Sequence, residues 1–570
     1  MLSIGTSKKS ITPDVSGITM MGWGQFSNKA YGVGMPIYCR SFVFYNEETN
    51  KKIVFACAEI AFITIALKQG VINYLKDSGF DEFNETNIML SATHTHSAPG
   101  GYSHYMMYNL NSYGFVEEVL NHYIKNISES IIEANKNLKE SNLYFNYGEI
   151  PLEQNVAFNR SIEAYNLNKD VEKLQNHETN KALDRNMYQL QINDNDNKLS
   201  SIINWFSVHC TNVHSDNYLI HPDNKGIASD KFEKDMLLQG NNSFISAFAQ
   251  GSCGDITPNY KVYKDIPFTR GEFEDDYKSA EFNGNIQYKQ SQKLVNLDNK
   301  LKLSEKIDYI HSYIDFSNVK IDPEFSNGEN IKTSSASIGV SMIAGTKEGP
   351  GITQNLKKVV EKASLAISKT HYSRLSKEQK EKFKEKVKSQ GNKIIFADLG
   401  EGSILTNKNL KKLAIPESID EMVKLLKNMA KNDAIGHKPW TPNILPIQIF
   451  IIGELSIIAV PSEFTTIAAK RLKNTVLNIL KNRGIKEIVL AGYSNGYAGY
   501  VTTNEEYQLQ LYEGGSTHFG QWTLSAYQTE FKKLAVELCK PYTERKTSNI
   551  EPHTFSKEEL IKRSYKLKIS

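Results

Sequence analysis

Apolar runs alternate with polar, glycine-rich breaks along this 570-residue chain, and the pattern reads as strands and helices in turn. KKIVFACAEIAFI (51–63) and NIMLSATHTH (87–96) are apolar and rich in β-branched residues, which suits buried strands. Between them LKQGVINYLKDSGF has helical spacing, and a longer helix is predicted from Phe115 to about Leu138. Two further strand runs, KLSSIINWFSVHC (198–210) and SFISAFAQGSCGD (243–255), end in a histidine and in a Gly-rich turn. A very charged helical stretch over 355–390 reads as a solvated surface helix. After HKPWTPN, the runs ILPIQIFIIG and LSIIAVPSEF are strands. Helix TTIAAKRLKNTVLNILKNRG and strand EIVLAGYSNGYAGYV then complete a βαβ-like unit. The fold class expected is α/β: one large mixed-sheet domain over residues 1–540, with a polar, basic tail over 541–570.

Charge narrows the function. The 67 basic and 64 acidic residues nearly cancel to +3, so no long-range basic field exists to bind nucleic acid. The five cysteines are odd in number, widely spread and never in a CxxC pair, which argues against a disulfide scaffold and a thiolate metal site. No stretch approaches the ~20 apolar residues needed to span a bilayer. The N-terminus MLSIGTSKKSITPD has no apolar core typical of a secretory signal, so the compartment is left open.

The chemistry-bearing segments sit where apolar strands run out into polar turns, the place where open α/β sheets build ligand sites. In SATHTHSAPGGYSHY (91–105), His94 and His96 are spaced i, i+2, which on an extended strand sends both imidazoles to one face. Such a pair also occurs as strand-end histidines bonded to backbone. His209 closes the next strand, with His214 and His221 as weaker candidates in the loop beyond. Glu463 follows the apolar run LSIIAV, where a glutamate needs a partner. Either a metal ion or the amides of the helix that follows would serve, with Glu463 or Ser462 as its cap. Gly496 and Gly499 bracket a tyrosine cluster in which Tyr500 could present its oxygen to a metal or substrate. The turn QGSCGDITPNY (250–260) suits either oxyanion stabilisation by backbone amides or a plain structural turn.

Taken together, SATHTHSAPGGYSHY, INWFSVH, DNKGIASD, AGTKEGPG, PSEFTT and GYVTTNEEYQLQLYEGGST resemble the motifs of the neutral (non-lysosomal) ceramidase family, in the same order. The resemblance implies a catalytic domain with a single zinc ion at its strand ends, carried here by His94, His209, Glu463 and Tyr500. It implies a catalytic or proton-shuttling part for His96 and places Arg160 near the substrate. Asp255, Thr257 and Asn259 fall in the family's GDxSPN segment, so Asp255 and Asn259 are expected at the substrate. Thr257 stands where the family carries serine, which keeps the hydroxyl but restricts χ1. Many members add an Ig-like C-terminal domain. The roughly thirty polar residues after the last motif region are too few for such a sandwich.

The activity implied is hydrolysis of the ceramide amide bond to a fatty acid and a sphingoid base. A metal-activated water is the expected nucleophile, with Tyr500 and either Thr257 or Tyr512 meeting the oxyanion. His96 would protonate the leaving amine. The substrate is then a lipid, encountered at a membrane surface, and the family suggests a secreted or periplasmic setting. A zinc amidase acting on other N-acyl lipids is the near alternative. A non-catalytic lipid-binding relative is the distant one.

Overall fold

Three sheets pack around a shared apolar core in the computed structural model, which describes residues 1–14, 16–400, 411 and 421–565. The first sheet runs in the order Ile88–Ala92, Lys51–Ala58, Tyr38–Asn46, Leu2–Ser10 and Lys139–Glu140. The second runs Ile245–Gln250, Leu199–Phe206, Asn186–Asn193, Asn142–Glu149 and Leu301–Lys302. The third runs Ile307–Asp315, Ile444–Ile452, Leu455–Ala459 and Glu487–Ala491. Phe42, Phe55, Ile203, Trp205, Phe450 and Ile457, drawn from all three, share one buried cluster. Burial of each such side chain contributes about 1.5–3 kcal/mol.

Each of these three large sheets contains a single parallel pair among the described residues: Lys51–Ala58 with Ile88–Ala92, Leu199–Phe206 with Ile245–Gln250, and Leu455–Ala459 with Glu487–Ala491. Helices Ile65–Asp77, Asp223–Leu238 and Thr466–Leu480 make the respective crossovers. The described residues of the three large sheets thus form three βαβ units rather than the one evident in the hydrophobic pattern, and their C-terminal strand ends meet. The predicted helix from Phe115 is observed as Glu117–Lys136. The charged stretch divides into Gln354–Ser373 and Lys377–Gln390, because Ser376 caps the second helix in a reciprocal pair with Gln379.

The basic tail docks. Arg545 bonds the buried carboxylate of Asp308 at 3.0 and 2.7 Å. The Arg563 guanidinium reaches the carbonyls of Ala434 and Ile435 at 2.9 and 3.1 Å. Among the described residues no helix is long and apolar enough to cross a membrane.

Candidate metal and catalytic site

His94 lies two residues past the strand Ile88–Ala92, His209 three past Leu199–Phe206, and Glu463 in the short strand Glu463–Phe464 beyond Leu455–Ala459. Strand alternation is not what unites His94 and His96, contrary to the expectation from their spacing. The strand stops at Ala92 and His94 turns the chain with a left-handed φ of 69°. A non-glycine residue there costs about 1–3 kcal/mol and persists only when its surroundings fix it. Here the His94 amide donates to Ile60 O at 3.0 Å and its Nδ1 to Ala61 O at 2.6 Å.

His209 Nδ1 donates to Ile256 O at 2.7 Å. A carbonyl only accepts, so in both rings Nδ1 carries the proton, and in the neutral imidazole Nε2 keeps its lone pair. Both Nε2 atoms face the same oxygen, Glu463 Oε2, at 3.5 and 3.2 Å. Lone pair against carboxylate is repulsive unless a cation stands between them. Tetrahedral ligands with ~2.0–2.1 Å bonds lie about 3.3 Å apart, the spacing these donors have. The three groups, all buried, come within 4.8 Å of one another and fit a divalent metal ion.

Two residues that the motif reading passed over hold the carboxylate in place. The Tyr497 hydroxyl donates to Glu463 Oε1 and the Tyr493 hydroxyl to Oε2, the latter at 3.0 Å. Glu463 does not cap the helix that follows. That task falls to Asp255, whose Oδ1 accepts from the Thr466 amide at 2.8 Å. Its Oδ2 accepts from Asn159 at 2.8 Å. Both Asp255 oxygens therefore brace the fold. Ser462 faces Tyr527 instead, 3.0 Å between oxygens.

Tyr500 pairs with Glu463 across the parallel ladder. Its oxygen accepts from Arg160 Nη2 at 3.2 Å. Burial and the nearby Glu463 push its ionisation well up, so it is a neutral phenol. Arg160 also donates to Glu513 at 2.8 Å, Glu348 at 2.7 Å and Gly254 O at 2.8 Å. Glu348, from the AGTKEGPG turn, is a hub. Its Oε2 accepts from Thr257 at 2.7 Å, Asn259 at 3.0 Å and Thr211 at 3.1 Å. The one hydroxyl hydrogen of Thr257 is thus committed, and its oxygen already receives the Asn259 amide at 2.9 Å. Oxyanion contact from Thr257 does not follow from this geometry. The turn 250–260 likewise spends the amides of Ser252, Gly254, Ile256 and Asn259 on protein acceptors. Asn259 Nδ2 bonds Thr211 O at 2.6 Å, so it too braces the turn.

His96 Nε2 lies 3.1 Å from His94 Nε2, while its Nδ1 has no partner among the described residues. Burial holds its pKa well below 6.5 and keeps the ring neutral. Gly22, at φ 128°, leaves room for that ring: a Cβ there would fall 2.3 Å from it. His214 stacks on Phe268 and His221 accepts from the Asp223 amide, both apart from the metal donors.

These groups open onto a cavity of about 190 Å³ whose lining includes His94, His96, Glu463, Tyr500 and Tyr512. The rest of its wall is largely apolar, with Met20, Met21, Phe62, Met107, Tyr108 and Met342.

The sequence matches the family model described as neutral/alkaline non-lysosomal ceramidase, N-terminal, over residues 2–416 and 421–529. It is 33% identical to the neutral ceramidase of Pseudomonas aeruginosa, over 94% of this chain and 72% of that protein. Neutral ceramidase B of Dictyostelium discoideum is 31% identical, over 93% of this chain and 71% of its own length. Among solved structures, a ceramidase complexed with C2 superposes with a TM-score of 0.79 at 31% identity, covering 97% of this chain and 77% of that one. The crystal structure of the Pseudomonas aeruginosa neutral ceramidase gives 0.77 at 30%, covering 97% and 76%.

Proposed function

The chain belongs to the neutral/alkaline non-lysosomal ceramidase family, and on that premise we propose that it hydrolyses the amide bond of ceramide, using one zinc ion held by His94, His209, Glu463 and Tyr500. The products are a fatty acid and a sphingoid base. The observation that carries this reading is the convergence of two buried Nε2 atoms on Glu463 Oε2 at 3.5 and 3.2 Å. Two imidazoles with oxygen donors are a set that suits zinc. When bound, zinc supplies a Lewis acid that polarises a carbonyl and acidifies water.

The chain's own residues do the rest. Arg160 donates to the Tyr500 oxygen, which leaves the phenol's proton free to turn toward the cavity. Tyr500 and Tyr512, both lining that cavity, stabilise the oxyanion. His96 Nδ1, lacking a protein partner, takes the proton of the attacking water and passes it to the leaving nitrogen. Water is favoured over Thr257 as nucleophile. Burial would raise the Glu348 pKa, but Arg160 outweighs it and holds the carboxyl below its usual range, leaving a poor base for the Thr257 hydroxyl.

Methionines dominate the apolar wall, and their flexible thioethers adapt to an acyl chain. The substrate in this reading is a membrane lipid met at a bilayer surface, and residues 1–540 form the catalytic unit. Incubation with a fluorescent short-chain ceramide tests it: fatty acid is released, chelator stops the release and zinc restores it. Zinc-loaded protein that releases none refutes it.

A further inference from the structure

The cavity wall carries buried polar side chains that this chemistry does not use. Ser516 and His518 are each 1% exposed and both line the cavity. Among the described residues, Ser516 Oγ and His518 Nδ1 have no hydrogen-bond partner. Burying a polar atom unpaired is costly, so two on one wall mark where a ligand's polar group belongs.

Their position is built. The Glu463 amide donates to Gly499 O at 2.9 Å, and Gly499 in turn bridges Thr517 in antiparallel fashion. The Ser516–His518 segment is therefore the second backbone neighbour of Glu463, about 10 Å away across two ladder spacings. Gly499 has φ 70°, and a Cβ there would fall 2.7 Å from both His518 Nε2 and Ser516 O. Glycine is what lets the imidazole lie against this strand. The backbone around the pair is pinned: the Ser516 amide donates to Tyr512 O at 3.0 Å, and His518 O accepts from the Ser337 amide and Gln390 Nε2, both at 2.9 Å. The two side-chain atoms stay unpaired within that fixed frame.

Burial, with Lys393 adding, pushes the His518 pKa down to about 3, so the ring is neutral around pH 7 and offers one N–H and one lone pair. Ser516 offers the same pair of functions. A hydroxyl group needs both a donor and an acceptor. A carboxylate would use only donors, and an ammonium only acceptors.

We propose that Ser516 and His518 form a hydroxyl-binding subsite, which selects N-acyl amino alcohols over N-acyl amines that lack the hydroxyls. The proposal rests on the amide-hydrolase reading for the bond that is cut and adds the group that is recognised beside it.

The test compares a short-chain ceramide with the N-acyl-2-aminoalkane of matching length, which has neither hydroxyl. The wild type prefers the ceramide in kcat/KM, and S516A and H518F each shrink that preference about 10- to 100-fold, because the unpaired-partner penalty is lost. S516A removes a single oxygen and carries the test if H518F does not fold. A preference unchanged in both variants overturns the subsite, as does a wild type that cleaves both amides equally. Should the wild type cleave neither, the hydrolase reading fails on its own, and calorimetric binding of the same two amides decides the subsite. Tighter binding of the hydroxylated amide that S516A abolishes upholds it, and equal binding rejects it.

Discussion

Tyr493 stacks on the imidazole of His94, with ring centroids 4.0 Å apart and planes 23° from parallel, while its hydroxyl donates to Glu463 Oε2 at 3.0 Å. One side chain therefore fixes the orientation of two candidate metal donors that follow strands of different sheets. Removing partners of this kind usually weakens metal affinity 10- to 100-fold. Y493F keeps the stacking surface and loses only the hydroxyl. The expected result is zinc affinity reduced by about that factor, with a fold no more than about 1–3 kcal/mol less stable, read by competitive chelator titration and thermal melting.

Gly22 separates metal binding from turnover. Its φ of 128° and a Cβ position 2.3 Å from the His96 ring mean that G22A must push the imidazole aside. G22A is expected to retain zinc, because His94, His209 and Glu463 are untouched, and to lose at least tenfold in kcat. Metal analysis and steady-state kinetics on the same preparation check both halves.

Thr257 and Glu348 divide by what each variant leaves unpaired. T257S preserves the hydroxyl that meets Glu348 at 2.7 Å and is expected to stay within a few-fold of wild-type activity. T257V removes it and costs about 1–3 kcal/mol of stability. E348Q breaks the buried pair with Arg160 and costs about 3–5 kcal/mol. Urea denaturation curves rank the three.

Asp308 reports on the docked tail. Burial alone would raise its pKa, yet bonds from Arg545 and Lys51 pull it far below the usual carboxylate value. A carboxylate depressed on folding stabilises the native state above its unfolded pKa of about 3.9, and that stability fades as pH falls further. The melting temperatures of wild type and D308N are therefore expected to differ most above pH 5 and to converge between about pH 4 and 2. Thermal melts across that range test the sign.

Much of the site was legible because its donors end apolar runs. A glutamate after LSIIAV and a histidine closing INWFSVH are conspicuous against their surroundings, and the order of motifs resembled one family. Geometry was less legible. The i, i+2 spacing of His94 and His96 suggested one strand face, whereas a left-handed residue beyond the strand end unites them. Glu348 sits in a glycine-rich turn just before a highly charged helical stretch, so nothing local marks it as buried, and its partners Arg160 and Thr257 are 188 and 91 residues away. Tyr493 and Tyr497 lay within a tyrosine-rich loop that reads equally well as core or interface. Only the signal of tyrosines between closely spaced glycines pointed toward them. Asp255 looked like a substrate contact from its motif, and its helix-capping role emerged only once the third sheet stood beside the second.

Metal stoichiometry, measured by mass spectrometry on protein purified without chelator, decides whether these donors hold zinc. About one zinc per chain is expected in the wild type and almost none in H209A and E463A, with both variants folded by circular dichroism. Wild-type protein that carries no metal yet cleaves ceramide at full rate in chelator would contradict it.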